Sequence, residues 1–269
     1  MTNTEEFQPS AEFVTMLKPD SAAAESFKTL RTNLSLGSFD KQLQIINVIS
    51  STVGESKSTV VVNLGYVYSQ LRKRTLIIDL DLRKPTIHKK LKVKNKNGVT
   101  NVVINQCSFE DAVIHYSTCM DVLTAGTNTP FASEFVQSEM FRKFLEACRE
   151  TYDVIIIDCP PINLVTDGMI ISTYTDGTIF CVGSNIADKR DVEFAKDQLK
   201  QFNVNVIGTV MTRMPLHKKY KYKYKYGKYG YGYGYGYGYG YGYYGSDKER
   251  KPKINTNVAL EQAEETDNK

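Results

Sequence analysis

The sequence predicts an α/β fold, with a mainly parallel sheet that carries helices on both faces and a disordered C-terminal tail. Two observations predict the sheet: short apolar runs rich in β-branched residues recur along the chain, and stretches of helix-forming length separate them. A third predicts the tail: 13 of the 18 tyrosines and 9 of the 18 glycines lie between Tyr220 and Gly245, in an alternation that no packed core can use. We therefore divide the chain into an N-terminal helical segment (1–40), a central α/β domain (41–217) and the tail (218–269).

The elements follow in chain order. Asp20 and Ser21 can cap a helix that runs from Ala22 through Leu34 and ends near Gly37. Beyond it the apolar runs predict strands, each buried on both faces, at Ile45–Ile49, Thr75–Asp79, Val154–Asp158, Thr178–Val182 and Val204–Gly208, with Asp121–Ala125 as a further candidate. Helices are predicted between them at Lys57–Leu71, Glu134–Thr151 and Asp188–Gln201, and an exposed connection at Leu91–Asn97.

Charge and composition exclude several classes of protein. The net charge of +4 is uneven, since residues 1–217 hold 23 Lys and Arg against 24 Asp and Glu, whereas residues 218–269 hold 11 against 6. No apolar run approaches the roughly 20 residues that span a bilayer, and Met1–Ser10 is too polar and acidic for a secretory signal, so we expect a cytoplasmic protein. The five cysteines are scattered without a C-x-x-C pair, which indicates buried apolar side chains rather than disulfides or a zinc site.

A candidate phosphate-binding loop joins the first strand to the first long helix of the domain. Its sequence, Ser50-Ser-Thr-Val-Gly-Glu-Ser-Lys-Ser-Thr59, resembles a P-loop, in which backbone N–H groups and a helix N-terminus hold phosphate, a lysine adds charge and a hydroxyl ligates Mg²⁺. The predicted fold is therefore P-loop NTPase-like, with a nucleotide site formed by Val53, Gly54, Glu55, Ser56, Lys57, Ser58 and Thr59. An ordinary turn rich in small residues is the alternative.

One position in this loop departs from the usual motif. Ser56 stands where the motif has a glycine before the lysine. If the backbone there needs a positive φ, the serine carries strain of about 1–3 kcal/mol, which would weaken nucleotide binding without abolishing it.

Three carboxylates follow buried strands downstream of the loop. Asp79 ends the Thr75–Asp79 run, Asp81 lies just past it, and Asp158 ends another run. Because ligands of open α/β sheets gather at the carboxyl ends of the strands, these acids are candidates to hold Mg²⁺ directly or through water. For any one of them, a helix cap or turn residue is the alternative.

Together these segments resemble the bacterial tyrosine kinases of capsular and exopolysaccharide synthesis, in the form in which the kinase is a separate cytoplasmic chain. The likeness lies in the loop, in Ile77-Ile-Asp-Leu-Asp-Leu-Arg83, in Ile155-Ile-Ile-Asp158 and in the C-terminal tyrosine cluster. The resemblance implies a protein tyrosine kinase that uses ATP and Mg²⁺, autophosphorylates its own tail and regulates polysaccharide production.

The resemblance also implies roles for the site residues. Lys57 would hold the β- and γ-phosphates, and Ser58 would ligate Mg²⁺. Asp79 and Asp158 would support the metal and its waters, and phosphoryl transfer needs little beyond such positioning and neutralisation of charge.

Two further roles stay open. Either Asp79 or Asp81 would orient or deprotonate the incoming tyrosine hydroxyl. Arg83 would either neutralise charge in the transition state or serve as a structural partner of an aspartate.

Several positions depart from the family pattern. The proline that often precedes the loop glycine is Val53, and the Asn-Lys that follows the last strand is Thr212-Arg213. In the Glu25–Arg31 segment, which the family uses for ring-like self-assembly, Lys28 replaces an arginine and loses its bidentate geometry. These departures fall on the residues of nucleotide handling and of assembly.

The tail is the predicted substrate. About 25 Gly-rich residues span roughly 25–30 Å, which favours phosphorylation in trans within a ring of subunits. Since each phosphotyrosine adds about −1.5 to −2 charges, three or four would reverse the charge of +5 on the tail and loosen the assembly. The predicted phosphoacceptors are Tyr220, Tyr222, Tyr224, Tyr226, Tyr229, Tyr231, Tyr233, Tyr235, Tyr237, Tyr239, Tyr241, Tyr243 and Tyr244.

The predicted partners follow from the resemblance. They are a membrane-embedded polysaccharide co-polymerase that acts as activator, a tyrosine phosphatase, and further copies of the chain in a ring-like homo-oligomer while the tail is unphosphorylated. The activator would place the kinase at the inner face of the cell membrane. The lysines of the tail also suit anionic lipid headgroups, and nucleic acid is not an expected partner.

Two other functions stay open. One is a positioning or partition ATPase of the MinD and ParA kind, which carries an extra lysine where this loop has Thr52. The other is a catalytically weakened regulatory module in which Ser56 has impaired nucleotide binding.

Overall fold

Seven strands and ten helices occupy the described residues, 9–37 and 43–214 of the computed structural model. The strands are β1 (Ile45–Ser50), β2 (Thr75–Asp79), β3 (Ile114–Ser117), β4 (Met120–Leu123), β5 (Val154–Asp158), β6 (Gly177–Gly183) and β7 (Val206–Thr212). The helices are α1 (Val14–Leu17), α2 (Ala22–Leu36), α3 (Lys57–Ser69), α4 (Ile87–Leu91), α5 (Val99–Val103), α6 (Phe109–Ala112), α7 (Ala132–Gln137), α8 (Glu139–Thr151), α9 (Asp167–Ser172) and α10 (Lys189–Gln201). The predicted tail and all its tyrosines lie outside this range.

The strands form one sheet in the order β3-β4-β2-β5-β1-β6-β7. Every neighbouring pair is parallel except β3 and β4, which run antiparallel at one edge. The carboxyl ends of β1, β2 and β5 therefore lie side by side in the middle of the sheet, where the sequence predicts the site.

Alternate residues of the central strands pack on opposite faces of the sheet. In β1, Ile45 and Ile49 belong to the apolar cluster that contains Phe141 of α8, whereas Ile46 and Val48 belong to the cluster built with α3. All residues of β1, β2 and β5 are buried, because helices cover both faces. The predicted α/β fold is confirmed.

The predicted elements are confirmed where burial or a cap defines them. The Ser21 side chain accepts a hydrogen bond from the Ala24 N–H and begins α2, and Gly37 follows its last residue. The predicted bounds of β2 and β5 match the observed strands, while β1 and β6 each extend by one or two residues.

Three expectations about elements were wrong. The last strand is β7, Val206–Thr212, rather than Val204–Gly208, because Val204 still bonds back to Leu199 in the turn after α10. It is an edge strand and largely exposed, not buried on both faces. The helix predicted over 134–151 is two helices, because the Ser138 hydroxyl caps α8 by accepting from the Phe141 N–H at 3.2 Å.

The cysteines follow the prediction only in part. Cys148, Cys159 and Cys181 are buried, whereas Cys107 and Cys119 are partly exposed. Among residues 9–37 and 43–214, no helix is long and apolar enough to cross a membrane.

The N-terminal helix α2 packs on α3 and uses part of the predicted assembly segment to do so. Arg31 donates a hydrogen bond to the Val67 carbonyl near the end of α3, at 2.7 Å. Lys28 forms an ion pair with Glu25 at 3.2 Å and bonds the Pro19 carbonyl. Two of the three assembly residues therefore also hold the helix in its own chain.

We expect Asp176→Asn to lower the free energy of unfolding at pH 7 by about 1–3 kcal/mol. The Asp176 carboxylate pairs with both terminal nitrogens of Arg149, at 2.9 and 3.1 Å, and accepts from the N–H groups of Gln44 and Ile45 at the start of β1. Partial burial of Asp176 opposes its ionisation, but the bonds from Arg149 and the two N–H groups outweigh burial and lower its pKa.

Urea unfolding from pH 7 to pH 3 tests this expectation. A lowered pKa means that the stabilisation is complete above about pH 4 and is lost as the pH falls through the folded-state value. The difference between Asp176→Asn and the wild type should therefore shrink in acid. Asp197→Asn, an exposed aspartate on α10, is the control, and equal destabilisation by both variants would contradict the assignment.

Candidate active site

The loop between β1 and α3 is held in an unusual backbone conformation. Gly54 and Ser56 both have a positive φ, 83° and 62°. The condition that the sequence left open at Ser56 is therefore met: the residue is left-handed, a conformation that serine adopts at a cost. The 13-residue helix α3 begins directly afterwards, so its free N–H groups and positive dipole end face the space above the loop.

Glu55 organises this loop from within. Its side chain is completely buried and accepts bonds from the Ser51 hydroxyl at 3.0 Å and from the backbone N–H groups of Thr52 and Gly183 at 2.8 and 3.1 Å. The Thr212 hydroxyl donates to the Glu55 carbonyl at 3.0 Å. The sequence predicted Glu55 as a nucleotide-binding residue, but its carboxylate serves the loop, which leaves only its backbone to face a phosphate.

The first turn of α3 presents three polar side chains. Lys57 is buried, with 7% of its surface exposed. The Ser58 hydroxyl accepts a bond from the Thr86 hydroxyl at 2.6 Å, and the Thr59 hydroxyl donates to the Glu12 carboxylate at 2.6 Å. All three predicted residues thus lie at the start of the helix, and two of them have neighbours that sequence reasoning did not foresee.

Asp79 and Asp158 lie directly opposite each other at the carboxyl ends of β2 and β5, and both are fully buried. Asp79 is held by backbone donors, since it accepts from the N–H groups of Thr86 and Ile87 at 3.0 Å and of Asp81 at 3.2 Å. Burial, and then the neighbouring charge of Asp158, raise the pKa of Asp79 well above its usual value.

Asp158 is less well satisfied than its neighbour. Within the described part of the chain, no donor meets hydrogen-bond geometry at either of its buried carboxylate oxygens, although the Ser58 hydroxyl lies near enough to favour the charged form. Burial raises its pKa to about 6, against the opposing influence of Lys57 and Ser58. Burial of an acid without hydrogen-bond partners destabilises the fold, and the position of Asp158 beside the loop indicates a ligand that offsets this free energy.

Asp81 and Arg83 lie further along the same connection. Asp81 is half-buried, accepts from the Lys84 N–H at 3.0 Å, and has a pKa raised mainly by burial. The Arg83 guanidinium pairs with Asp167 of α9 at 2.9 Å and donates to Ser133 at 3.2 Å. Of the two roles left open for Arg83, this geometry matches the structural one, and its partner is an aspartate that the sequence did not single out.

A cavity of about 440 Å³ lies above the loop. It is lined by five basic and two acidic residues among others: Lys57, Lys84, Lys89, Lys90, Arg213, Glu12 and Asp81. This balance suits an anionic ligand. A larger groove of about 1190 Å³ runs along α10, β6 and β7, but contains none of the predicted site residues.

The residues of this cavity fit a nucleotide with its magnesium ion. The α3 N-terminus and Lys57 suit phosphates, while the Ser58 hydroxyl and the unsatisfied Asp158 carboxylate are hard oxygen donors of the kind Mg²⁺ takes, directly or through water. Among the described residues, no group of three or more His, Cys, Asp or Glu side chains could hold a metal by itself. The phosphates would therefore complete such a site, as is usual for Mg²⁺.

Sequence reasoning missed three residues that shape the site, Glu12, Thr86 and Asp167. Glu12 is placed there by the neighbouring Phe13, which is fully buried against Tyr66. The apolar Phe13 beside an acid was the one available signal, since the contacts of Glu12 and Asp167 with the site cross more than 45 residues. Arg213, which the sequence marks as a departure from the family pattern, also lies at the site, where its Nε donates to the Ser56 hydroxyl.

The part of the chain that holds the site matches a known protein family. A family model described as an AAA domain matches residues 43–182, which include the loop and both central acids. The fold and the site thus define a P-loop ATPase-type domain.

More specific relatives are tyrosine kinases. The chain is 35% identical over 207 residues to the tyrosine-protein kinase YwqD of Bacillus subtilis (strain 168), which covers 76% of this chain and 87% of that protein. The crystal structure of the chimerical protein CapA2B2 superposes with a TM-score of 0.73 at 31% identity, over 78% of this chain and 92% of that one. The chain belongs to the family of bacterial tyrosine-protein kinases.

A more distant structure shares the fold alone. Cobyrinic acid a,c-diamide synthase from Mycobacterium smegmatis, solved with an ATP analogue and magnesium, matches at 18% identity with a TM-score of 0.57, over 68% of this chain and 80% of that one. The arrangement of sheet and loop is therefore one that accommodates a magnesium nucleotide in another protein.

We expect Asp158→Asn to stabilise the chain while abolishing its activity. An acid with a raised pKa destabilises the fold once the pH rises through that value, here about 6, so removal of the charge should raise the free energy of unfolding at pH 8 by about 1–3 kcal/mol. Most of the gain should disappear near pH 4, because Asp158 is then protonated in the folded state and about half protonated in the unfolded state, whose pKa is about 3.9.

Thermal unfolding of both proteins at pH 8 and pH 4, without nucleotide, measures the effect. The rise in melting temperature at pH 8 should be about 3–10 °C. Asp153→Asn, on the exposed turn before β5, provides the comparison: it removes an ion pair with Arg74 and should not stabilise. A lower melting temperature for Asp158→Asn at pH 8 would show that the acid stabilises the fold.

Proposed function

We propose that this chain transfers the γ-phosphoryl group of ATP to tyrosines of its own C-terminal segment and thereby regulates the synthesis of a capsular or extracellular polysaccharide. The observation that carries the proposal is the buried, unsatisfied Asp158, which lies beside Asp79 and near Lys57 and Ser58, two residues that line a basic cavity, in a chain of the tyrosine-protein kinase family. The names of the relatives indicate the reaction, and the unsatisfied carboxylate of Asp158 indicates that the site binds a ligand.

Each residue has a part in this reaction. The α3 N-terminus and Lys57 bind the phosphates and offset their charge. Ser58 and Asp158 would hold the magnesium ion, whose charge further offsets that of the phosphates. The three backbone bonds to Asp79 keep its carboxylate beside Asp158, so both acids face the same point.

Asp81 is the better candidate to accept the proton of the tyrosine hydroxyl. It lines the cavity, is only half-buried, and has a single backbone bond on its carboxylate. Its raised pKa brings it closer to the operating pH, which favours a general base. Asp79 is bound by three backbone donors and is buried too deeply to meet an incoming side chain.

The described part of the chain ends beside the site. Met214, the last described residue, follows Arg213, whose side chain reaches the loop at Ser56. Tyr220 lies six residues beyond Met214, a contour of roughly 20 Å. The reach of the tail is therefore compatible with its own site and with that of a neighbour, so kinetics rather than geometry must separate the two; we retain transfer in trans as the proposal.

The proposed partners are those that the family resemblance implies: a membrane-embedded polysaccharide co-polymerase as activator, a tyrosine phosphatase, and a ring of copies of this chain. Glu25 and Lys28 on α2 keep more than a third of their side chains exposed and remain available for such a ring. Sequence similarity to a tyrosine-protein kinase favours neither of the other two functions, the partition ATPase and the inactive regulatory module.

We expect purified chain, incubated with its activator, ATP and Mg²⁺, to acquire phosphate within Tyr220–Tyr244, as mapped by mass spectrometry. Lys57→Met should reduce this by about 100-fold or more, because it removes a cation from the phosphates while nearly preserving the buried volume. Lys196→Met, an exposed lysine of α10, is the matched control. Phosphate elsewhere only, or full activity of Lys57→Met, would refute the proposal.

A mixing experiment separates transfer in trans from transfer in cis. Isotopically heavy Lys57→Met chain is mixed with light wild-type chain, and the tail peptides are compared. If transfer occurs in trans, the heavy peptides carry phosphate and the initial rate rises more than linearly with protein concentration. Phosphate confined to the light peptides, with a rate per molecule independent of concentration, would establish transfer in cis.

A further inference from the structure

Two of the departures from the family pattern, Ser56 and Arg213, are in contact in the structure. Ser56 replaces a glycine in the loop, and Arg213 stands in the dipeptide that replaces Asn-Lys after the last strand. They are 157 residues apart in sequence, yet the Arg213 Nε donates a hydrogen bond to the Ser56 hydroxyl at 3.1 Å. A glycine at position 56 could not accept this bond.

The backbone on both sides is fixed as well. Ser56 has a φ of 62° and Arg213 a φ of 55°, so both lie in the left-handed region. The preceding residues are joined too, since the Thr212 hydroxyl donates to the Glu55 carbonyl at 3.0 Å. The end of β7 is therefore fastened to the loop at two consecutive positions, and the Arg213 side chain has a defined place.

That place is the mouth of the cavity. Arg213 lines it together with Lys57 and Ser58. Its Nε is used by Ser56, but within residues 9–37 and 43–214 its two terminal nitrogens make no hydrogen bond or ion pair. A planar guanidinium with its outer edge free and its inner nitrogen anchored is the arrangement that receives phosphate oxygens.

We propose that Arg213 binds a phosphate group of the nucleotide and that Ser56 positions it for this contact. The inference rests on the proposed nucleotide-binding function and adds a second cation to the site besides Lys57. This role accounts for the strained backbone of Ser56. A glycine would adopt the left-handed conformation without strain, but only the serine hydroxyl holds the Arg213 side chain in place.

A double-mutant cycle with a binding readout tests the inference. Arg213→Ala should weaken binding of Mg-ATP and of inorganic tripolyphosphate by the same factor, about 10- to 100-fold, as expected for loss of a charge-assisted hydrogen bond. Both ligands are measured by displacement of a fluorescent ATP analogue from the full chain. Arg213→Ala and Ser56→Ala each replace one non-glycine residue by another, so the strain of the left-handed backbone at these two positions stays the same.

Ser56 is tested by two substitutions that differ in one respect. Ser56→Ala keeps the strained backbone and removes only the hydroxyl, so it should weaken ATP binding by about 2- to 10-fold in the wild type and have no effect in the Arg213→Ala background. Ser56→Gly also relieves the strain, and should be more stable to heat than Ser56→Ala while binding ATP no better than it.

Arg72→Ala is the matched control. Arg72 is exposed at the far end of α3 and shares the left-handed backbone, with a φ of 58°, so its replacement removes the same charge and side chain away from the cavity. It should change the dissociation constant of ATP less than twofold. Thermal unfolding of each variant verifies that the fold is kept.

Three outcomes would overturn the inference: equal ATP affinity for wild type and Arg213→Ala, effects of the two substitutions that simply multiply in the double variant, or a loss for ATP without a loss for tripolyphosphate, which would place the contact on base or ribose. Failure of the proposed function looks different. If the variants show the expected ratios of ATP affinity but the wild-type chain forms no phosphotyrosine, the kinase proposal is refuted and the role of Arg213 is supported.

Discussion

The parallel register of β1, β2 and β5 is the constraint on which the site depends. It aligns the carboxyl ends of three consecutive strands of the sheet, so that the loop after β1, Asp79 at the end of β2 and Asp158 at the end of β5 meet at one edge. A shift of one residue in the β2–β5 ladder would separate the two acids, and a shift in the β1–β5 ladder would turn Asp158 away from the loop. The apolar side chains on both faces fix the register, and the core thereby determines the position of the chemistry.

The sequence predicted best what the core determines. The bounds of β2 and β5 follow directly from apolar runs, because a strand buried on both faces reads as a nearly continuous apolar stretch, here closed by an aspartate. The glycine that the motif usually has at position 56 raised the question of a positive φ there, and the structure answers it with a left-handed Ser56. Edge elements were predicted poorly: β3 was missed and β7 was misplaced by up to four residues, because exposed strands need no apolar run.

The polar contacts of the site were largely beyond prediction. Nothing in the pattern around Glu55 distinguishes an acid that faces a ligand from one that supports the loop, and only its burial and three donors do so. The pairing of Arg83 with Asp167 spans 84 residues and depends on how α9 lies against the sheet. Local sequence can nominate charged residues for a site, but tertiary packing decides which of them face the ligand.

The unsatisfied carboxylate of Asp158 has a consequence for the life of the protein in the cell. If the proposed magnesium nucleotide binds here, its cation would offset the free energy that the buried acid costs, and the ligand-free chain would be the less stable form. Proteases act on transiently unfolded molecules and would then remove empty chains faster than loaded ones. Occupancy of the site would thus set the lifetime of the protein as well as its activity.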